Sequence, residues 1–116
     1  MKNITLIFII LLCAISTFAV TDDYNQRMAR QYTREAEYYQ KKAEGYRREA
    51  EYYLKQAERY QREATYYTRK GDADRARSYT RQADNAMDKY KTQMRYAAQA
   101  DEKAADYLRR AARMLQ

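Results

Sequence analysis

Fourteen of the 116 residues are tyrosines, and their type and spacing make them the side chains to consider first for chemistry. A phenol is a flat apolar ring carrying one hydroxyl that both donates and accepts. It can stack on another ring, a sugar face or a cation. It also supports redox and dityrosine chemistry, a use that sequence does not establish. Six tyrosines recur every seven residues, at Tyr32, Tyr39, Tyr46, Tyr53, Tyr60 and Tyr67. A second set, Tyr24, Tyr38, Tyr52 and Tyr66, recurs every fourteen. Regular spacing of this kind builds faces on a helix rather than a pocket.

The other reactive residue types are scarce. After the first twenty residues there is no His and no Cys, and Ser78 is the only serine. No glycine-rich phosphate loop is present, and the carboxylates fall in a regular ion-pairing pattern. The expectation is a protein that is not an enzyme, with no cofactor and no metal site. Asp72 and Asp74 are read as helix-start residues rather than metal ligands, because no ligand loop surrounds them.

The element that positions the tyrosines is a long helix. Alanine falls at 29, 36, 43, 50, 57 and 64, interleaved with the seven-residue tyrosine series at gaps of three and four. That is an a/d heptad seam, with Ala36, Ala43, Ala50, Ala57 and Ala64 at a and Tyr39, Tyr46, Tyr53, Tyr60 and Tyr67 at d. The f positions are Arg34, Lys41, Arg48, Lys55, Arg62 and Arg69, all basic. Glu37, Glu44, Glu51 and Glu58 each precede a basic f residue by four, the favourable order for a helix pair. The basic stripe therefore reads as a solvated, ion-paired face rather than a polyanion track. Tyr38, Tyr52 and Tyr66 take c positions at the margin of the seam, about 21 Å apart at 1.5 Å per residue. With Tyr24 they are the candidate self-association face.

Lys70-Gly71-Asp72 interrupts the pattern. Gly71 suits a left-handed helix end, and Asp72 suits the cap of the next helix. The heptad then resumes with Ala76, Ala83, Tyr90, Ala97, Ala104 and Ala111 at a, and Tyr79, Ala86, Gln93, Ala100, Tyr107 and Met114 at d. Met87, Met94, Leu108 and Leu115 at e are expected to widen the seam. The expected fold is all-α, a long antiparallel two-helix hairpin with Ala/Tyr coiled-coil heptads. Its helices are placed at 24–69 and 73–115, with the turn at 70–72 and the domain at 20–116.

Residues 1–19 read as a secretory signal peptide. Lys2 is the positive start, Ile4 to Leu12 is apolar apart from Thr5, and Thr17 and Ala19 are the small residues before a cut at Val20. Leu12 before Cys13 argues against a lipidation signal. Cleavage would leave a chain without a thiol and without a membrane span, exported to a periplasmic or extracellular space.

Beyond residue 20 the apolar material is Ala, Tyr, four Met and three Leu, so a compact core of branched aliphatics is excluded. Alanine buries little area, and ordering backbone costs about 1–2 kcal/mol per residue. A lone hairpin is thin on that account, and a homo-oligomer is expected. The net charge is +7, or +6 without Lys2, which favours acidic envelope polymers as partners. Nucleic acid fits less well, given the leader and the paired Glu series.

Lys70-Gly71-Asp72 followed by Ala76, Tyr79 and Ala83 looks like the turn of tetratricopeptide-type hairpins, although no 34-residue period exists. The region after the leader resembles small bacterial envelope helical-hairpin proteins. Alanine-zipper envelope proteins are among them, as is a periplasmic metal-binding hairpin family with a similar glycine turn. That family binds metal through many histidines, and none is present here. The alanine-zipper resemblance implies a structural, oligomeric role in the envelope. The expected function is self-associating scaffolding, with the alternative of a clamp for acidic polymers, glycans or unfolded clients.

Overall fold

The computed structural model describes residues 23–116 in full and, for 2–22, the helical backbone alone. The expected leader at 1–19, with Cys13 and the cut before Val20, lies outside the fully described residues. The chain is all-helical: α1 runs Lys2–Arg69 and α2 runs Ala73–Met114. α1 does not start at Tyr24 as expected. Thr21 to Tyr24 contain neither Gly nor Pro, so nothing in the local sequence stops the helix there. α2 ends one residue before the expected 115. Its last turn tightens, with Leu115 N–H donating to the Ala112 carbonyl at 3.2 Å.

The turn explains why the two helices meet. Gly71 has φ +79°, a left-handed geometry that a side chain resists. Its N–H donates to the Thr68 carbonyl at 3.1 Å, and the Asp72 N–H donates to the Tyr67 carbonyl at 3.0 Å. These two bonds are the Schellman pair that satisfies the end of a helix. Asp72 then serves the next helix, because its Oδ1 accepts from the Arg75 N–H at 3.2 Å. One residue therefore closes α1 and caps α2.

Packing divides the chain into two units, Met1–Glu37 with Ala104–Gln116, and Tyr38–Lys103. In the first unit Tyr32 of α1 meets Tyr107 of α2, with ring centres 6.2 Å apart. Among its described residues, Ala29, Ala36, Ala104 and Ala111 are buried. In the second unit α1 and α2 run antiparallel on either side of the turn. Tyr46 meets Tyr96 at 5.5 Å and Tyr60 meets Tyr79 at 6.2 Å. Ala43, Ala50, Ala57, Ala76, Ala83, Ala86, Ala97 and Ala100 are buried there. Ala64 and the ring residues Tyr39, Tyr46, Tyr53, Tyr60, Tyr67, Tyr79 and Tyr90 are half-buried, as is Gln93.

The e positions of α2 do not extend the seam as expected. Met94, Leu108 and Leu115 are exposed, and only Met87 is half-buried. Each residue turns about 100° around the helix, and one partner helix covers the a and d lines but not a side chain standing outside them. Where the sequence suggested a wide stripe, the buried line is narrow and almost entirely alanine.

Candidate interaction surface

Three of the four candidate outer tyrosines stand on the Tyr38–Lys103 unit. There the heptad places a seam tyrosine and an outer tyrosine side by side three times. Adjacent helical residues point about 100° apart, so one ring enters the seam while its neighbour stands at the edge. Tyr38 and Tyr39 pack edge to face at 5.2 Å and 75°, Tyr52 and Tyr53 at 5.4 Å and 69°, and Tyr66 and Tyr67 at 5.1 Å and 79°. Edge-to-face packing is the preferred aromatic geometry and contributes about 0.5–1.5 kcal/mol per pair. The outer rings remain 52%, 56% and 48% exposed. In the other unit Tyr24 is exposed at 57%.

α2 completes each pair with a cation. Lys103 Nζ lies 5.3 Å from the Tyr39 ring centre, Lys89 Nζ lies 5.5 Å from that of Tyr53, and the Arg75 guanidinium lies 5.3 Å from that of Tyr67. Cations four residues on from the outer rings add to this: Lys42 of α1 is 5.0 Å from the ring of Tyr38, and Lys70 of the turn is 4.8 Å from the ring of Tyr66. Hydrogen bonding to Tyr38 raises the Lys42 pKa above its ordinary value. The site is thus a row of aromatic and cationic steps. At the last of them, Tyr67 also stacks on Tyr79 at 5.6 Å with the rings nearly parallel.

The middle step differs. Four residues after Tyr52 stands Gln56, not lysine. A groove of about 280 Å³ opens there, lined among others by Tyr52, Tyr53, Gln56, Gln82, Asn85 and Lys89. It combines ring faces, three amides and one ammonium, with no carboxylate in its lining. Such a set can grip a polar ring through hydrogen bonds and stacking.

The charged faces follow the sequence in part. Arg48 pairs with Glu44 at 3.8 Å and Lys55 with Glu51 at 3.3 Å. All four side chains are largely exposed, so each pair adds only about 0.3–0.5 kcal/mol. Sequence reasoning missed the contact between helices, in which Arg47 donates to the Asp101 carboxylate. It also missed the ring-capping cations Arg75, Lys89 and Lys103. Their fourteen-residue spacing on α2, equal to that of the tyrosine pairs, was the available signal. Among the described residues no group of three or more His, Cys, Asp or Glu is placed to hold a metal ion. Also among them, no helix is long and apolar enough to cross a membrane.

No protein-family model matches the chain, and neither curated proteins nor solved structures give a match. The functional reading rests on the surface itself.

Proposed function

We propose that this protein is a non-enzymatic, exported helical hairpin that associates with copies of itself as a scaffolding component of the cell envelope or of an extracellular filament. One observation carries the reading. Tyr38, Tyr52 and Tyr66 hold large rings about half in solvent, at a fixed period and braced by the tyrosine beside each. An exposed, ordered aromatic row of this kind marks an interaction face. The thin alanine line beneath it supports the same reading, because a second hairpin would add the apolar burial that one hairpin lacks. Export follows from the order of basic, apolar and small residues in 1–19. The test is sedimentation of the chain beginning at Val20, beside a variant with Tyr38, Tyr52 and Tyr66 changed to Ser. Concentration-dependent growth in the parent and its loss in the variant, at unchanged helix content, is the expected result.

The groove at Tyr52 and Lys89 favours a second reading, a clamp for acidic glycans. Three amides beside stacked rings suit sugar hydroxyls, and Lys89 suits a sugar carboxylate. Titrating tyrosine fluorescence with a uronic-acid oligosaccharide tests it. Saturable binding that weakens in Gln56→Ala, without loss of assembly, would move the row from self-association to ligand capture.

A further inference from the structure

The outer row has a centre. Read along the c positions of α1, the residues are Tyr24, Gln31, Tyr38, Gly45, Tyr52, Arg59 and Tyr66. The tyrosines are placed symmetrically about Gly45, one pair seven residues away and the other twenty-one. Gly45 stands in the middle of a helix, exposed, and a Cβ built on it would meet nothing within 4 Å. Alanine would therefore fit in the single chain and is the better helix former. The hairpin alone gives no reason for a glycine here. A shallow depression of about 480 Å³ lies at this point, lined by Gly45, Arg48, Glu49 and Tyr52.

We infer that Gly45 lies at a two-fold axis where α1 of one hairpin crosses α1 of a second, antiparallel copy, with Tyr38 and Tyr52 of the two copies interlocked on either side. This rests on the self-association reading and specifies its partner and direction. A two-fold contact uses the same patch on both copies. The tyrosines nearest Gly45 meet that requirement, being seven residues to either side: Tyr38 comes to face the partner's Tyr52, and Tyr52 the partner's Tyr38. The missing side chain at Gly45 lets the two backbones approach where they cross. Charge agrees on one flank, because Lys42 precedes Gly45 by three residues and Glu49 follows it by four. The antiparallel axis sets each Lys42 against the partner's Glu49. On the other flank lie basic Lys41, Arg48 and Lys55, of which Arg48 and Lys55 are already paired with Glu44 and Glu51, and this lowers the repulsion between copies.

Direction and centre are tested together in the full chain carrying Cys13→Ser. Gly45→Cys and Arg59→Cys each introduce one thiol on the outer row, and a short bismaleimide then probes each variant. In the antiparallel pair the two copies of residue 45 are adjacent, while the two copies of residue 59 are separated by twenty-eight residues, roughly 42 Å. The expected result is efficient cross-linking for Gly45→Cys and none for Arg59→Cys. Gly45→Ala, read by sedimentation, should weaken association at least tenfold while keeping full helix content. Equal cross-linking of both variants would indicate a parallel pair and overturn the inference. Unchanged association in Gly45→Ala would overturn it as well. Either result leaves self-association standing, whereas a parent protein that stays monomeric at every concentration removes both.

Discussion

The ammonium of Lys89 on α2 stands 5.5 Å from the ring centre of Tyr53 on α1. The same relation holds fourteen residues away in either direction, between Lys103 and Tyr39 and between Arg75 and Tyr67. As α1 advances by two heptads, α2 retreats by two. The three couples are therefore one structural unit repeated.

Removing the cations should lower stability in additive steps, equal for the two lysines. Lys89→Ala and Lys103→Ala should each cost about 0.5–1 kcal/mol. The couples lie about 21 Å apart along the helix, far enough for their effects to add. Arg75→Ala should cost more, because Arg75 also pairs with Asp72 at 3.5 Å. Urea denaturation followed by circular dichroism checks the series. An effect near zero at Lys89 would mean that the ring contact contributes nothing.

The seam residues were legible in the sequence because burial on a helix leaves a period. Every seam alanine from Ala36 to Ala111 lies in the buried or half-buried class, and the outer tyrosines stand exposed. The ring-capping cations were not read, because a lysine near a ring leaves no mark until the register between the two helices is known. The α2 stripe was read too wide for a related reason. Period gives the angle of Leu108 and Leu115 but not how far a single partner helix reaches around to cover them.

The two tyrosine rows should separate under mutation. Changing Tyr39, Tyr53 and Tyr67 to Ala removes half-buried rings from a core otherwise made of alanine. The expected outcome is loss of cooperative unfolding, since truncating even one buried aromatic costs about 3–5 kcal/mol in well-packed cores. Changing Tyr38, Tyr52 and Tyr66 to Ser should leave the thermal midpoint of the dilute protein within a few degrees. Thermal melts at low concentration distinguish the two sets.

The turn should tolerate little. Gly71→Ala forces a side chain into the left-handed geometry and should cost about 1–2 kcal/mol. Gly71→Asn should cost less, because asparagine adopts that geometry more readily. Asp72→Ala should cost about 1 kcal/mol through the lost cap on the Arg75 N–H. Denaturation midpoints for the three variants provide the ranking, and a Gly71→Ala protein as stable as the parent would contradict the turn.

The exposed leucines of α2 give a further check on assembly. In an isolated hairpin Leu108→Gln and Leu115→Gln should each change stability by less than about 0.5 kcal/mol. A larger loss that grows with protein concentration would place the e line of α2 in a contact between copies.

Because Asp72 ends one helix and begins the other, α2 enters at a fixed angle, and that angle sets the phase of every couple behind it. A single residue inserted into α2 between Ala73 and Arg75 would rotate the helix beyond it by about 100° relative to its cap and dismiss Arg75, Lys89 and Lys103 from their rings together. The same geometry restricts how such a chain can change length in evolution. Whole heptads gained on α1 must be matched by the same number on α2 for the seam beyond them to stay in register, so length changes come in pairs placed symmetrically about a turn that stays as it is.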